Sequence, residues 1–157
     1  MKVLGVDPGI TGAIALVGDG YLAVRDIPTA GEKRRRVVMA AELAGIIKAW
    51  SPDTAVIEKV HAMPKQGVSS SFRFGQALGV VEGALGALLI PTEYVTPQSW
   101  KKHSRLTAHK EDARLRAAQK WPHISDQLSR KRDADRAEAL LIANWKIEQR
   151  TRLTKEV

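Results

Sequence analysis

The sequence predicts one α/β domain built on a mixed five-stranded sheet, with three antiparallel strands followed by parallel ones and helices on both faces. Short uninterrupted apolar runs predict strands covered on both sides, an early Gly-Asp-Gly predicts a hairpin, and helix-period segments separate the later strands. With 157 residues, the chain is long enough for one domain with a proper core and too short for two of ordinary size. We assign residues 1–149 to this domain and 150–157 to a charged tail.

The predicted strands follow from apolar runs and the turns between them. Gly18-Asp19-Gly20 separates two apolar segments and indicates a hairpin, so the first three strands should be antiparallel. A helix crosses over before the fourth strand, which should therefore lie parallel to the first. The five predicted strands cover residues 3–6, 13–17, 21–24, 54–58 and 91–95.

The predicted helices are separated by proline-containing or polar segments. Three serines at 69–71 are predicted to cap the second helix, and the basic run at 33–36 is interpreted as a solvated helix start. Residues 124–132 are predicted to form a polar, basic loop. The predicted helices cover residues 39–50, 72–89, 97–102, 110–121 and 133–148. Four tryptophans, at 50, 100, 121 and 145, occupy helical apolar positions and are predicted to be core residues, not base-stacking platforms.

Three glycines, Gly75, Gly79 and Gly83, share one face of the second predicted helix. Each glycine costs a helix up to ~1 kcal/mol relative to alanine. The stripe therefore suggests a face that another backbone approaches closely. Packing on the sheet is the commoner explanation, and a subunit interface is the second.

The chain is strongly basic and contains no cysteine. Its 25 Lys+Arg and 17 Asp+Glu residues give a net charge of +8, which favours a polyanionic partner, nucleic acid before membrane. A basic charge that serves only solubility is the alternative. Without cysteine, neither disulfides nor thiolate metal sites can form. The first residues resemble neither a signal peptide nor a membrane span, so we expect a cytoplasmic protein.

Four acidic residues are placed as a metal site would require. Asp7 and Glu58 end the first and fourth strands, and parallel strands present their carboxyl ends at one edge of a sheet. Asp135 and Glu138 are three residues apart and share one helix face. Buried carboxylates that converge repel one another unless cations hold them, and oxygen ligands favour Mg²⁺ or Mn²⁺. Two such ions, ~3.5–4 Å apart, would clamp a scissile phosphate.

Each acid also has a simpler interpretation. Asp7 precedes Pro-Gly and could start a turn, and Glu58 could pair with Lys59 or Arg73. Asp135 or Glu138 alone could be a solvated helical acid. Asp133 is better explained as the N-cap of the last helix than as a ligand.

A series of motifs runs through residues 3–145 in a fixed order. They are Gly5-Val6-Asp7-Pro8-Gly9, Gly12-Ala13-Ile14-Ala15, Val56-Ile57-Glu58, His61-Ala62-Met63-Pro64, Gln66-Gly67-Val68-Ser69-Ser70, Phe74-Gly75-Gln76-Ala77-Leu78-Gly79, Val95-Thr96-Pro97-Gln98-Ser99-Trp100-Lys101-Lys102, Lys110-Glu111 and Asp135-Arg136-Ala137-Glu138-Ala139-Leu140-Leu141-Ile142-Ala143. Taken in order, these motifs resemble those of the RuvC Holliday-junction resolvases, with phage-type members most similar.

This resemblance implies an RNase H-like fold and a homodimer that nicks four-way DNA junctions in pairs. It implies a Mg²⁺-dependent reaction that leaves 5′-phosphate ends, with no organic cofactor, in a bacterial cell or phage-infected host. It assigns metal binding to Asp7, Glu58, Asp135 and Glu138. Many members carry Asp where this chain has Glu138. Some relatives place an aromatic wedge where this chain has His61.

Basic and hydroxyl residues flank the acids in sequence and are candidates for DNA contacts. For any one of them, an ordinary solvated surface position is the alternative. The candidates for backbone contacts are Lys65, Ser70, Arg73, Lys102 and Lys131, with His61 at the junction centre.

The same fold and acids would also suit an RNA nuclease of the pre-rRNA-processing type. A catalytically inert junction-binding protein is a third hypothesis. Cleavage of RNA but not of four-way DNA would favour the first alternative. No nicking in any divalent metal, with unchanged affinity for Asp7→Asn, would favour the second.

Overall fold

The computed structural model describes residues 1–32, 35–60, 67–107 and 109–154. Its main sheet has five strands in the order β3-β2-β1-β6-β7. The sheet strands are β1 (Val3–Asp7), β2 (Ala13–Gly18), β3 (Tyr21–Asp26), β6 (Thr54–Glu58) and β7 (Thr92–Val95). β1, β2 and β3 pair antiparallel, and β1, β6 and β7 pair parallel. The predicted mixed sheet is therefore confirmed.

In the part of the chain that the structure describes, five α-helices cover the two faces of the sheet. They are α1 (Ala40–Trp50), α2 (Val68–Ala87), α3 (Pro97–His103), α4 (Lys110–Lys120) and α5 (Ala134–Leu153). One hydrophobic cluster joins the sheet to α1 and α2, and a second joins its other face to α3, α4 and α5. Within the described ranges, none of the helices is both long and apolar enough to cross a bilayer.

A small hairpin precedes α1 where the sequence predicts a solvated helix start. Its strands are β4 (Thr29–Ala30) and β5 (Val37–Val38). Arg36 is half-buried and donates to Thr29 Oγ1 at 2.7 Å, so it fastens the hairpin instead of starting a helix. Two-residue strands are too short to show a period-2 pattern, which explains why the sequence does not predict this hairpin. Residues 33 and 34 of the predicted helix start lie outside the described residues.

Three other boundaries differ from the prediction. α2 begins at Val68, so the three serines lie in its first turn and do not cap it; Gly67 occupies the N-cap. Residues 122–128 and 131–133 form 3₁₀ turns that bury Ile124 and Leu128, where a polar loop is predicted. α5 extends to Leu153, four residues into the segment assigned to a charged tail.

The glycine stripe of α2 does not pack on the sheet. A Cβ built on Gly75, Gly79 or Gly83 meets nothing within 4 Å, and all three positions are exposed. The opposite side of the helix packs on the sheet through Ala77, Val81 and neighbouring apolar residues. The commoner explanation for the stripe is therefore wrong, and the subunit-interface explanation remains a prediction.

Candidate metal centre

Two adjacent parallel strands end in acidic residues at the same edge of the sheet. Val6 of β1 lies opposite Ile57 of β6, so the next residues, Asp7 and Glu58, end their strands side by side. Both side chains are buried, each about 8% exposed. The turn after β1 returns so tightly that a Cβ at Gly12 would overlap the carbonyl oxygen of Asp7. Glycine at position 12 therefore lets the chain turn directly after Asp7.

Helix α5 crosses β1 closely enough to bring a third acid to this edge. A Cβ at Gly5 would overlap the carbonyl oxygen of Ala139, so the strand and the helix backbone are in direct contact. This contact sets Glu138 over the end of the sheet, where it is buried. Carboxylate oxygens of Asp7, Glu58 and Glu138 lie within 4.8 Å of one another. That spacing suits shared coordination of a cation by oxygen ligands.

Asp135 lines the same cleft but lies outside this set of three. It is half-buried, one turn before Glu138 on α5. The cleft has a volume of about 430 Å³ and is open to solvent on one side. Its lining combines the four acids with the turn after β1 and the start of α2: Asp7, Pro8, Gly9, Ile10, Thr11, Gly12, Glu58, Val60, Ser70, Arg73, Phe74, Asp135 and Glu138.

The electrostatics of the cleft disfavour the ionised form of Glu58. Burial is the largest factor that raises the pKa of Glu58 above its usual value. The negative charges of Glu138 and Asp135 raise this pKa further, while a hydrogen bond from Trp100 and the charge of Lys101 partly oppose the rise. A divalent cation in the cleft would favour the ionised form of Glu58.

Two consecutive residues of α3 contact the acids, and sequence reasoning missed both contacts. Trp100 is fully buried, as predicted for a core residue, and its Nε1 donates a hydrogen bond to Glu58 Oε1 at 2.8 Å. Lys101 Nζ lies 3.4 Å from Glu138 Oε1. The sequence indicates that α3 is basic, but it does not indicate which lysine faces the acids. The position of each lysine around the helix axis decides which one faces the acids, and Lys102 is exposed.

Asp133 pairs with two arginines and does not belong to the acid cluster. Its carboxylate accepts from the Arg130 backbone N–H at 2.8 Å and from the Arg130 guanidinium at 2.8 Å, with Arg136 at 3.8 Å. Burial raises the pKa of Asp133, but the hydrogen bonds from Arg130 outweigh burial and hold the pKa below its usual value. Asp133 lies at the N-cap of α5, as predicted, although its side chain caps the preceding 3₁₀ turn.

The candidate DNA contacts fall into three groups. Ser70 and Arg73, in the first turns of α2, line the acidic cleft. Lys102 on α3 and Lys131 in the 3₁₀ turn before α5 are exposed. His61 and Lys65 lie outside the described residues, so their predicted roles stay predictions.

Comparison with known proteins places these features in a family. RuvC crossover junction endodeoxyribonuclease of Synechococcus sp. strain CC9902 is 30% identical over 159 residues, covering 92% of this chain and 98% of that protein. The RuvC of Nitratidesulfovibrio vulgaris strain Hildenborough is 34% identical over 110 residues, or 65% of each chain. No protein-family model matches the chain.

Two solved structures share the fold. RuvC of T. thermophilus, solved in complex with a Holliday junction substrate, superposes with a TM-score of 0.60 at 23% identity, covering 92% of each chain. The yeast mitochondrial Holliday junction resolvase superposes with a TM-score of 0.56 at 13% identity, covering 91% of this chain and 77% of that one.

The fold is thus RNase H-like, with carboxylates gathered at the edge of its central parallel strands, and the curated relatives show that the chain is of the nuclease class. The chain belongs to the RuvC family of crossover junction endodeoxyribonucleases. The resemblance to the RuvC family drawn from its motifs is confirmed, and the greater similarity to phage-type members stays a prediction.

Proposed function

We propose that this protein resolves Holliday junctions and related branched DNA by metal-dependent paired nicking that leaves 5′-phosphate ends. The observation that carries the proposal is the convergence of Asp7, Glu58 and Glu138 within 4.8 Å in an open cleft. Family membership supports the same reaction, because the curated relatives are crossover junction endodeoxyribonucleases.

The donor set fits Mg²⁺ or Mn²⁺, with two ions per site as the proposed stoichiometry. Asp7, Glu58 and Glu138 offer only hard oxygen ligands, and the chain has no cysteine to favour a soft metal. Asp135 lines the same cleft and is the proposed fourth ligand. When bound, such ions stabilise charge on the scissile phosphate and lower the pKa of the attacking water.

The start of α2 is the proposed contact for the DNA backbone beside the cleaved bond. Ser70 supplies a hydroxyl and Arg73 a guanidinium at the wall of the acidic cleft, next to the N-terminus of a 20-residue helix. A helix N-terminus and an arginine both attract phosphate. The exposed Lys102 and Lys131 are proposed to extend this contact along the backbone, with His61 and Lys65 as further candidates.

A homodimer is the proposed active form, since two sites related by a two-fold axis could nick opposite strands of a symmetric junction. The exposed face of α2 is the proposed interface. Val68 is 87% exposed and Phe72 is 72% exposed, and the glycine stripe continues this face. A flat, side-chain-free strip flanked by apolar residues would let a second backbone pack closely.

The central test is cleavage of labelled DNA with Mg²⁺, Mn²⁺ or chelator. The substrates are an immobile four-way junction, a fork, linear duplex and an RNA hairpin. Asp7→Asn is the site variant, and Asp126→Asn is its matched control, since it makes the same change at an exposed position outside the cleft lining. Symmetric 5′-phosphate nicks on the junction, lost only in Asp7→Asn, are expected.

Other outcomes would contradict the proposal. Cleavage of RNA with no cleavage of four-way DNA would favour the RNA-nuclease alternative. Junction binding without nicking in either metal would favour the inert binder. Equal activity of Asp7→Asn and Asp126→Asn would show that the acid cluster does not take part in cleavage.

The interface has a separate test by sedimentation velocity. Gly79→Glu places a charge on the exposed face of α2 and should convert a dimer into a monomer. Gly45→Glu is the control, because Gly45 is also an exposed helical glycine with nothing within 4 Å of a Cβ, on α1. A Gly79→Glu protein that sediments as wild type does would exclude this face as the interface.

A further inference from the structure

The indole of Trp100 makes a polar contact with a proposed metal ligand. Trp100 is fully buried in the core between the sheet and α3, α4 and α5. A buried indole N–H must find an acceptor, and here the acceptor is Glu58 Oε1, 2.8 Å away. The bond itself is buried, so water does not compete for it. The largest side chain of the core is thereby fixed to an acid of the cleft.

Helix α3 holds Trp100 rigidly at both of its ends. At the start, Pro97 occupies the first turn and Thr96 Oγ1 accepts from the Ser99 backbone N–H at 3.3 Å. At the end, His103 Nε2 lies 2.6 Å from Glu148 Oε2 on α5. Since α5 also carries Glu138, the donor to Glu58 and a second acid of the cluster are tied to the same helix.

We propose that Trp100 is a positioning residue for the metal centre: its indole N–H holds the Glu58 carboxylate in the orientation that binds the ion. This inference rests on the proposed function. Glu58 has one more side-chain torsion than an aspartate and emerges from the end of a strand, so its carboxylate needs a fixed donor to stay aimed at the cleft. The bond engages Oε1 and leaves the second oxygen available to a cation. Hydrogen bonds to ligating carboxylates commonly serve this purpose.

The first experiment separates the indole N–H from the bulk of the ring. Trp100→Phe keeps an aromatic ring and removes the donor, and Trp145→Phe is the matched control, a tryptophan packed on the same core cluster. Junction cleavage is measured against Mg²⁺ concentration. Trp100→Phe should raise the Mg²⁺ concentration for half-maximal rate by about 10- to 100-fold, with part of the lost rate recovered at high Mg²⁺. Trp145→Phe should leave it unchanged.

A second variant tests whether altered packing, and not loss of the N–H donor, explains the effect of Trp100→Phe. Incorporation of β-(3-benzothienyl)alanine at position 100 replaces the indole N–H with sulfur and keeps the volume and shape of the ring. If the donor matters, this variant should show the same Mg²⁺ requirement as Trp100→Phe while melting close to the wild-type temperature. A wild-type Mg²⁺ requirement in this variant would overturn the inference.

The third measurement does not depend on activity. The four tryptophans give four indole ¹H–¹⁵N signals, and the signal missing in Trp100→Phe identifies Trp100. Titration with MgCl₂ should shift the Trp100 signal, because its acceptor becomes a metal ligand, and should leave the Trp50 and Trp121 signals in place. Mg²⁺-dependent cleavage with an unmoved Trp100 signal would overturn this inference alone. If Mg²⁺ supports no cleavage and shifts no indole signal, the proposed metal centre is overturned together with this inference.

Discussion

Two glutamates that contact side chains of α3 experience opposite electrostatic environments. Glu58, at the end of β6, is buried among other acids, and burial together with Glu138 and Asp135 raises its pKa. Burial also tends to raise the pKa of Glu148 on α5, but hydrogen bonds from Asn144, Lys120 and His103 outweigh it and hold the pKa at about 2. The fold therefore completes the hydrogen bonding and charge of one acid and leaves the charge of the other uncompensated.

This difference is the one expected between an acid that stabilises the fold and the metal ligand that we propose. Lys120 Nζ lies 2.9 Å from Glu148 Oε1, and Asn144 Nδ2 donates to the same oxygen at 2.9 Å. Glu58 receives one neutral N–H donor and only a more distant contribution from the charge of Lys101. Acids that the protein leaves undercompensated cluster at functional sites, because binding supplies the missing charge.

The largest expected effect is the loss of cleavage in Glu58→Gln. Glutamine keeps an acceptor for Trp100 but offers no charge to a cation, so junction cleavage should fall by more than about 100-fold, beyond the usual loss for an outer-shell partner. The isosteric change Glu148→Gln is the control and should retain most of its activity at 25 °C. The assay is single-turnover cleavage of a four-way junction in saturating Mg²⁺. Comparable losses in both variants would show that the two acids do not differ in function.

The two substitutions should affect thermal stability in the reverse order, with the larger loss in Glu148→Gln. Glu148→Gln removes the charge from three hydrogen bonds, a loss of about 1–2 kcal/mol after allowance for the partial exposure of Glu148. Because 1 kcal/mol shifts Tm by roughly 2–4 °C in a domain of this size, Tm should fall by about 2–8 °C. Glu58→Gln in chelator should melt at or above the wild-type temperature, since it removes a buried charge beside like charges. Differential scanning calorimetry measures both, and a lower Tm for Glu58→Gln than for Glu148→Gln would contradict the comparison.

These contrasts also indicate how far the sequence alone could predict the site. Asp7 and Glu58 could be placed together because both end apolar runs in strands predicted to be parallel, and Glu138 because helical spacing puts it on a face with Asp135. The contacts of Trp100 and Lys101 could not be predicted. A tryptophan at a helical apolar position predicts burial, but the acceptor of its N–H depends on how α3 docks against β6.

In the fold, too, the elements with a strong local signal are the ones that the sequence predicts. Apolar runs and turns indicate the five sheet strands, helical spacing indicates the main helices, and the predicted topology is confirmed. The hairpin of β4 and β5 is stabilised by pairing and by Arg36, not by a repeated pattern. The sequence places the start of α2 too late because serines favour caps, whereas here the three serines lie within the first turn after Gly67.

The pH dependence of stability should have opposite signs for the two acids. The pKa of Glu148 is about 2 in the folded state and 4.5 in the reference state, so its stabilisation is present above pH 4.5 and is lost as pH falls toward 2. The pKa of Glu58 is raised above 4.5, so the folded state favours its protonated form, and stability is lost as pH rises above 4.5 through the raised value.

Thermal melts from pH 2 to pH 8, with chelator or Mg²⁺, test these signs. In chelator, wild type should lose stability on both sides of an optimum, and Mg²⁺ should abolish the loss on the alkaline side. Glu58→Gln in chelator should show a smaller alkaline loss than wild type, and Glu148→Gln a smaller acid loss. If stability falls with rising pH as much in Mg²⁺ as in chelator, no cation compensates the charge of Glu58.

The smallest expected effect comes from removing one cation from the Glu148 network. Lys120→Met keeps most of the aliphatic stem and removes the ammonium of a side chain that is 38% exposed, so the loss of stability should be about 0.5 kcal/mol. The pKa of Glu148 should rise, because two hydrogen bonds remain but the charge does not, and the acid unfolding midpoint should move to higher pH. Arg116→Met is a control for loss of a basic residue on the same helix, and it should leave that midpoint in place. An equal shift in both variants would mean that net charge, not the contact with Glu148, sets the acid stability.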